Sequence, residues 1–126
     1  MIEELVTLET AKMLKEKGFK EDVFTFYELD CIEGDMILSE TYDYSDNFNK
    51  KDDCFSAPSQ SLVQKWLCQE KNLHIEISYM YGNYWIYDIL TIPEHDLVGL
   101  SDRPIIRYET YEEALEAGIF EALKLI

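Results

Sequence analysis

The residues able to do acid–base, nucleophilic or metal chemistry are few in kind and poorly spaced. Histidine occurs twice, at His74 and His95. No HxH or HxxxH pair exists, so the two imidazoles lack the short spacing from which a metal site is built. Both read as ordinary surface histidines. Cys31, Cys54 and Cys68 make an odd number without a CxxC pair, and resemble neither a disulfide framework nor a zinc site. A nucleophilic thiolate needs positive surroundings, yet Cys31 follows Asp30 and Cys54 follows Asp53. The five scattered glycines form no phosphate cradle, and no GxSxG, GxGxxG or P-loop run is present. With 26 acidic residues, two carboxylates at glycosidase distance arise by chance. This reading yields no catalytic residue, no metal ligand and no cofactor.

The chemistry that remains is recognition. Tyr42, Asp43, Tyr44 and Asp46 alternate aromatic and acidic groups, with Phe48 close by. Rings beside carboxylates suit Lys or Arg on a partner, through charge and cation–π contact. The competing reading is a solvated loop whose tyrosines lie back on a sheet, since aromatic bodies find apolar cover. Tyr81 and Tyr84 flank a second turn and form the other candidate contact.

Composition limits the partners. The 126 residues carry 26 acidic and 11 basic side chains, a net charge of −15. Phosphate contacts need Lys and Arg, so direct nucleic-acid binding is disfavoured, and so is an anionic membrane. Solubility alone accounts for the charge; the sharper reading is an acidic surface for a basic protein, or a mimic of nucleic acid. The hydrophobic share of 47% supports a globular fold. One domain over residues 1–126 is expected. The N-terminal stretch has no apolar signal core, no apolar run reaches membrane-spanning length, and the cysteines fit a reducing cytoplasm.

Three helices are expected to position these groups. The first runs from Thr7 to Lys17: Thr7 caps it, Leu8, Ala11 and Leu14 form its apolar stripe, and Gly18-Phe19 closes it. Val23–Leu29 and Met36–Tyr42 read as a hairpin around Glu33-Gly34-Asp35, and Asp43–Asp53 as a long charged loop. The second helix begins near Pro58 or Ser59, buries Leu62, Val63, Trp66 and Leu67, and ends at Asn72. Thr91–Arg103 is a connection, and Pro104–Tyr108 a possible edge strand. The third helix starts at a Thr110/Glu113 capping box and carries the stripe Ala114, Leu115, Gly118, Ile119 and Ala122. Phe120 and Leu123 widen that surface and serve the core or a dimer contact.

Register in the second hairpin follows from burial. A two-residue turn at Gly82-Asn83 would place Asp88 opposite Ile77 on the apolar face. A three-residue loop over Tyr81–Asn83 pairs Met80 with Tyr84. It gathers Ile75, Ile77, Tyr79, Trp85, Tyr87 and Ile89 on one face, with Asn83 left-handed. The expected fold is therefore α+β, in the order α-ββ-α-ββ-α. Two antiparallel hairpins join into one sheet, with three helices packed mainly on one face. The helix–hairpin unit recurs as repeated topology.

Three segments, VTLETAKMLKEKGF (Val6–Phe19), APSQSLVQKWLCQEKNLHIEI (Ala57–Ile77) and YEEALEAGIFEALKLI (Tyr111–Ile126), resemble in the same order a family of short acidic bacterial proteins. These recur in gut anaerobes, often in prophage or other mobile-element regions. The matched residues cover about 50 of 126 and are helix caps and core positions. The resemblance implies a cytoplasmic protein of mobile-element origin and brings no activity, cofactor or functional residue. The expected function is a non-enzymatic accessory protein that engages a basic protein through an acidic surface. The alternatives are a small enzyme using paired carboxylates and a structural homo-oligomer joined through the last helix.

Overall fold

Within the residues described by the computed structural model (4–30, 32, 34–98 and 106–126), the elements run α1 (Leu8–Glu16), β1 (Thr25–Leu29), β2 (Met36–Glu40), a 3₁₀ turn (Phe48–Lys50) and β3 (Cys54–Ser56). They continue α2 (Gln60–Lys71), β4 (Leu73–Met80), β5 (Tyr84–Thr91), β6 (Leu97–Val98) and α3 (Tyr111–Lys124). The chain divides into two compact units, residues 5–59 and residues 60–126, the latter with Glu4.

In the first unit, Thr7 caps α1 by accepting the Thr10 N–H. The helix ends in a full Schellman motif. Phe19 N–H donates to Leu14 O at 2.9 Å and Gly18 N–H to Lys15 O at 3.2 Å, with Gly18 at φ 89°. Leu14 and Phe19 are both buried. β1 lies between its two partners in the order β2-β1-β3, all antiparallel.

The strand β3 follows directly on the stretch expected to be one long loop, Asp43–Asp53, in residues given no element from the sequence, and its anchors are polar. Asn49 donates from Nδ2 to Phe19 O at 2.8 Å and accepts the Ser56 N–H on Oδ1 at 2.8 Å. Phe48 N–H donates to Ser56 Oγ at 3.1 Å. Phe48 itself is buried and stacks on Phe26 at 4.1 Å. Hydrophobic periodicity could not flag a strand held by Asn and Ser side chains.

In the second unit, α2 buries Gln60, Val63, Trp66 and Leu67, while Leu62 is half-buried. It starts at Gln60, one or two residues later than expected. Asn72 terminates it at φ 56°. β4 and β5 pair in the expected register, from Leu73 opposite Thr91 to Met80 opposite Tyr84. The three-residue loop puts Asn83 at φ 65°, with Gly82 at 104°. Glu76 and Asp88 face each other on the side away from Ile75.

Thr110 caps α3 by accepting the Glu113 N–H at 3.1 Å. The helix buries the expected stripe together with Leu123, and Phe120 is half-buried. Gln60 is buried where α2 begins, and its Nε2 reaches Glu112 O and Glu116 Oε1 of α3, each at 3.0 Å.

The hairpins do not join into one sheet. Each forms its own three-stranded antiparallel sheet, β2-β1-β3 and β4-β5-β6. The third strands β3 and β6 are two or three residues long, too short to show a period. The repeated topology also stops at the sheets: the central strand is the first of three in one unit and the second of three in the other. Of the expected edge strand, Pro104 and Ile105 lie outside the described residues. Tyr108 forms an isolated bridge with Trp85, closed by hydrogen bonds of 2.8 and 3.0 Å. Cys31, Glu33 and Gly99 also lie outside the described residues.

Candidate recognition surfaces

The first unit carries Tyr42, Asp43, Tyr44 and Asp46 on the connection that leaves β2. Thr41 Oγ1 donates to Tyr44 O at 2.6 Å while Thr41 N–H donates to Phe24 O at 2.8 Å, which folds this connection against the end of β1. Tyr42 is 86% exposed and Tyr44 56%; the Tyr44 ring keeps one tilted contact with Phe48, at 6.5 Å. Asp43 is exposed.

Asp46 does a different job. Its backbone exchanges two hydrogen bonds with Val23, at 3.0 and 3.1 Å. Its carboxylate accepts the Asn47 N–H at 2.8 Å and pairs with Lys50 at 2.8 Å. The hydrogen bond from Lys50, with that from the Asn47 backbone, holds its pKa below the ordinary 3.8. Asp46 is the anchor of the loop, while Tyr42, Asp43 and Tyr44 are its exposed part.

A wider signal surrounds these residues. Positions 21–49 contain nine acidic residues and no lysine or arginine. Within this arm, β2 is an edge strand with Ile37 41% and Leu38 50% exposed; Leu29 and Ile32 are exposed as well. A count of charge sign along the chain finds this arm without any structure. Reading element by element misses it.

The protein's own cations are drawn to rings. Lys15 Nζ lies 4.8 Å from the Phe55 ring centroid, Lys71 Nζ 5.5 Å from Trp66 and Lys124 Nζ 4.8 Å from Phe120. Lys15 also donates to the carbonyl oxygens of Lys51, Asp52 and Cys54, at 2.5, 3.3 and 2.8 Å. It closes the turn before β3 rather than neutralising a carboxylate.

In the second unit, Tyr81 is fully exposed at the loop tip. Tyr84 is half-buried, and the Arg107 guanidinium sits 4.5 Å over its ring. The expected core face of the hairpin tapers. Ile75, Tyr87 and Ile89 are buried, Ile77 and Trp85 half-buried, and Tyr79 is 57% exposed. Tyr79 was expected to face the core on register alone. The register holds, yet next to the turn Tyr79 rests against Trp85, 4.9 Å away, and donates its hydroxyl to Asn83 Oδ1, which leaves much of the ring exposed. Trp85 in turn meets the edge of Tyr111 at 5.5 Å and 87°. Tyr79, Trp85 and Tyr111 thus form a partly exposed aromatic ridge beside the exposed Glu109, Glu112 and Glu113. Tyr111 is the member that sequence reasoning missed, because it stands between Thr110 and Glu113, the two residues through which the capping pattern is read.

Among the described residues no group of three or more His, Cys, Asp or Glu is placed to hold a metal ion. Cys54 is buried and Cys68 half-buried. Burial pushes the Cys54 thiol up, and the neighbouring Asp53 carboxylate adds to the effect, the opposite of what a nucleophile needs. No helix among the described residues is long and apolar enough to cross a membrane. No protein-family model, curated protein or solved structure matches the chain.

Proposed function

We propose that this protein is a non-enzymatic binding protein that engages a basic protein partner through its acidic surface. The observation that carries the reading is the arm of residues 21–49, with nine acidic residues and no lysine or arginine of its own; Lys50, just beyond it, pairs with Asp46. Lys15 and Lys71 lie over rings of their own units, and Lys15 also donates to carbonyl oxygens, which leaves the arm's field to a partner. Tyr42 and Tyr44 add exposed faces for cation–π contact. The resemblance of the helical segments to prophage-borne bacterial proteins is the support for a mobile-element setting.

The test is capture of a partner by the tagged protein across a salt series. Charge-driven binding weakens steeply as the Debye length falls from about 10 Å at 0.1 M toward about 3 Å at 1 M. The triple variant Asp30→Lys, Asp35→Lys, Glu40→Lys should lose the partner at low salt. Equal recovery at low and high salt, or full retention by the triple variant, overturns the proposal.

A further inference from the structure

The outer edge of β2 is the most specific feature of the acidic arm. Asp30 N–H donates to Asp35 O at 2.7 Å and Thr41 N–H to Phe24 O at 2.8 Å. Given the pairing of β1 with β2, this alternation turns the N–H and C=O of Ile37 and Ser39 toward β1. It turns those of Met36, Leu38 and Glu40 away from it. Among the described residues no further strand lies on that side. β2 also lacks the usual protections of an open edge: over Met36–Glu40 it has no lysine, no proline and no bulge.

The two faces beside this edge differ in chemistry. Leu38 and Met36 share one face with Leu29 and Tyr27 of β1, and Glu40 ends that row opposite Thr25. Ile37 and Ser39 share the other with Glu28, and Asp30 and Asp35 continue that face by register parity. Leu38 and Leu29 are about half exposed, at 50% and 48%. An added strand alternates its side chains between the same two faces. Its apolar residues would lie beside Met36 and Leu38. Its cations would lie beside Asp35, with their stems over Ile37 and their heads reaching toward Glu28 one strand further in.

We propose that β2 takes up an extended segment of the partner, alternating apolar residues with Lys or Arg, as a fourth strand of this sheet. Main-chain hydrogen bonds from Met36, Leu38 and Glu40 supply the affinity, and the two-faced pattern of side chains supplies the selectivity. The inference rests on the basic-partner reading above and specifies how the partner is held.

The test uses the full chain and a capped peptide, (Lys-Val)₃-Lys, as the probe. In the free protein the Met36, Leu38 and Glu40 amides should exchange quickly with solvent, and those of Ile37 and Ser39 slowly. The peptide should slow the first set by at least about fivefold, as new main-chain hydrogen bonds form to them. The same peptide N-methylated on alternate residues keeps every side chain and charge but loses its donors; it should bind at least about tenfold more weakly. A block isomer, with the four lysines before the three valines, should also bind more weakly. Leu38→Pro removes only an outward-facing N–H, a position where edge strands tolerate proline, and should abolish the protection. The N-methylated peptide tests the same bond on the unmodified protein.

Peptide binding that survives both N-methylation and Leu38→Pro overturns strand addition while leaving the basic-partner reading intact. Failure of every basic peptide to bind at low salt overturns both. Protection of the three outward amides without peptide, in a dimer, would mean that a second copy takes the edge, and overturns the proposal.

Discussion

A Cβ added to Gly118 would stand 2.8 Å from Ile75 Cγ2, and 3.2 Å from two ring atoms of Tyr87. Ile75 and Tyr87 are buried neighbours on the central face of the β4–β5 hairpin, so neither has room to yield. α3 packs on this sheet at a distance that only glycine allows.

Gly118→Ala should therefore destabilise the protein although alanine is the better helix former. Helix propensity favours alanine by about 1 kcal/mol, and overpacking a filled core costs about 1–3 kcal/mol. A net loss of about 1–2 kcal/mol is expected in urea unfolding. In an Ile75→Ala background Cγ2 is gone, so the same change should cost less. Additivity in that double-mutant cycle would refute the close-approach account.

Asn72 ends α2 in the left-handed region at φ 56°, and its carbonyl accepts the Ile92 N–H at 2.9 Å. A residue without asparagine's tolerance pays steric energy there. Asn72→Val should lower stability by about 1–2 kcal/mol, while Asn72→Gly should stay within about 0.5 kcal/mol of the parent. Thermal unfolding of the pair checks this; equal melting temperatures would contradict it.

Lys15 closes the turn before β3 through its contacts to three carbonyl oxygens. Lys15→Met preserves most of the stem but leaves those oxygens to water. A loss of about 1 kcal/mol is expected for this partly exposed group. Hydrogen exchange should show the loss first at the Ser56 amide. Uniform loosening across residues 60–126 instead would be the wrong outcome.

The Asp46–Lys50 pair sets a pH dependence whose sign follows from Asp46. Its folded pKa lies below the ordinary 3.8, first through the Lys50 hydrogen bond. The unfolded chain therefore binds a proton at higher pH than the folded one. The contribution is complete above the unfolded pKa and disappears as pH falls below 3.8 toward the lower folded value. Lys50, whose pKa is raised by the same hydrogen bond, loses its share only on the alkaline side, as pH climbs past 10.5. A carboxyl NMR titration should give Asp46 a midpoint below 3.8, and Lys50→Met should move it upward. No movement would assign the shift to the Asn47 backbone instead.

Local rules made the helices and one hairpin legible. Thr7, Gly18, Asn72, Asn83 and Thr110 each act through their own backbone and near neighbours, so their types and spacing determined where α1 and α2 stop, where α1 and α3 start and how β4 pairs with β5. The capping and register arguments needed nothing farther away than one turn or one hairpin. The same holds for the charge of residues 21–49, which is a property of composition.

The rest was decided in three dimensions. β3 is anchored by hydrogen bonds made by the Asn49 and Ser56 side chains, and polar contacts spanning seven to thirty residues leave no periodic mark. Each hairpin gains its own third strand, β3 on β1 and β6 on β5, and strands of two or three residues carry no periodicity that a sequence could display. Tyr79 and Trp85 occupy the core-facing register yet stay partly exposed, because a face is buried only as far as something packs over it. Sequence determined which way each side chain points from its strand; tertiary structure decided which of those side chains water still reaches.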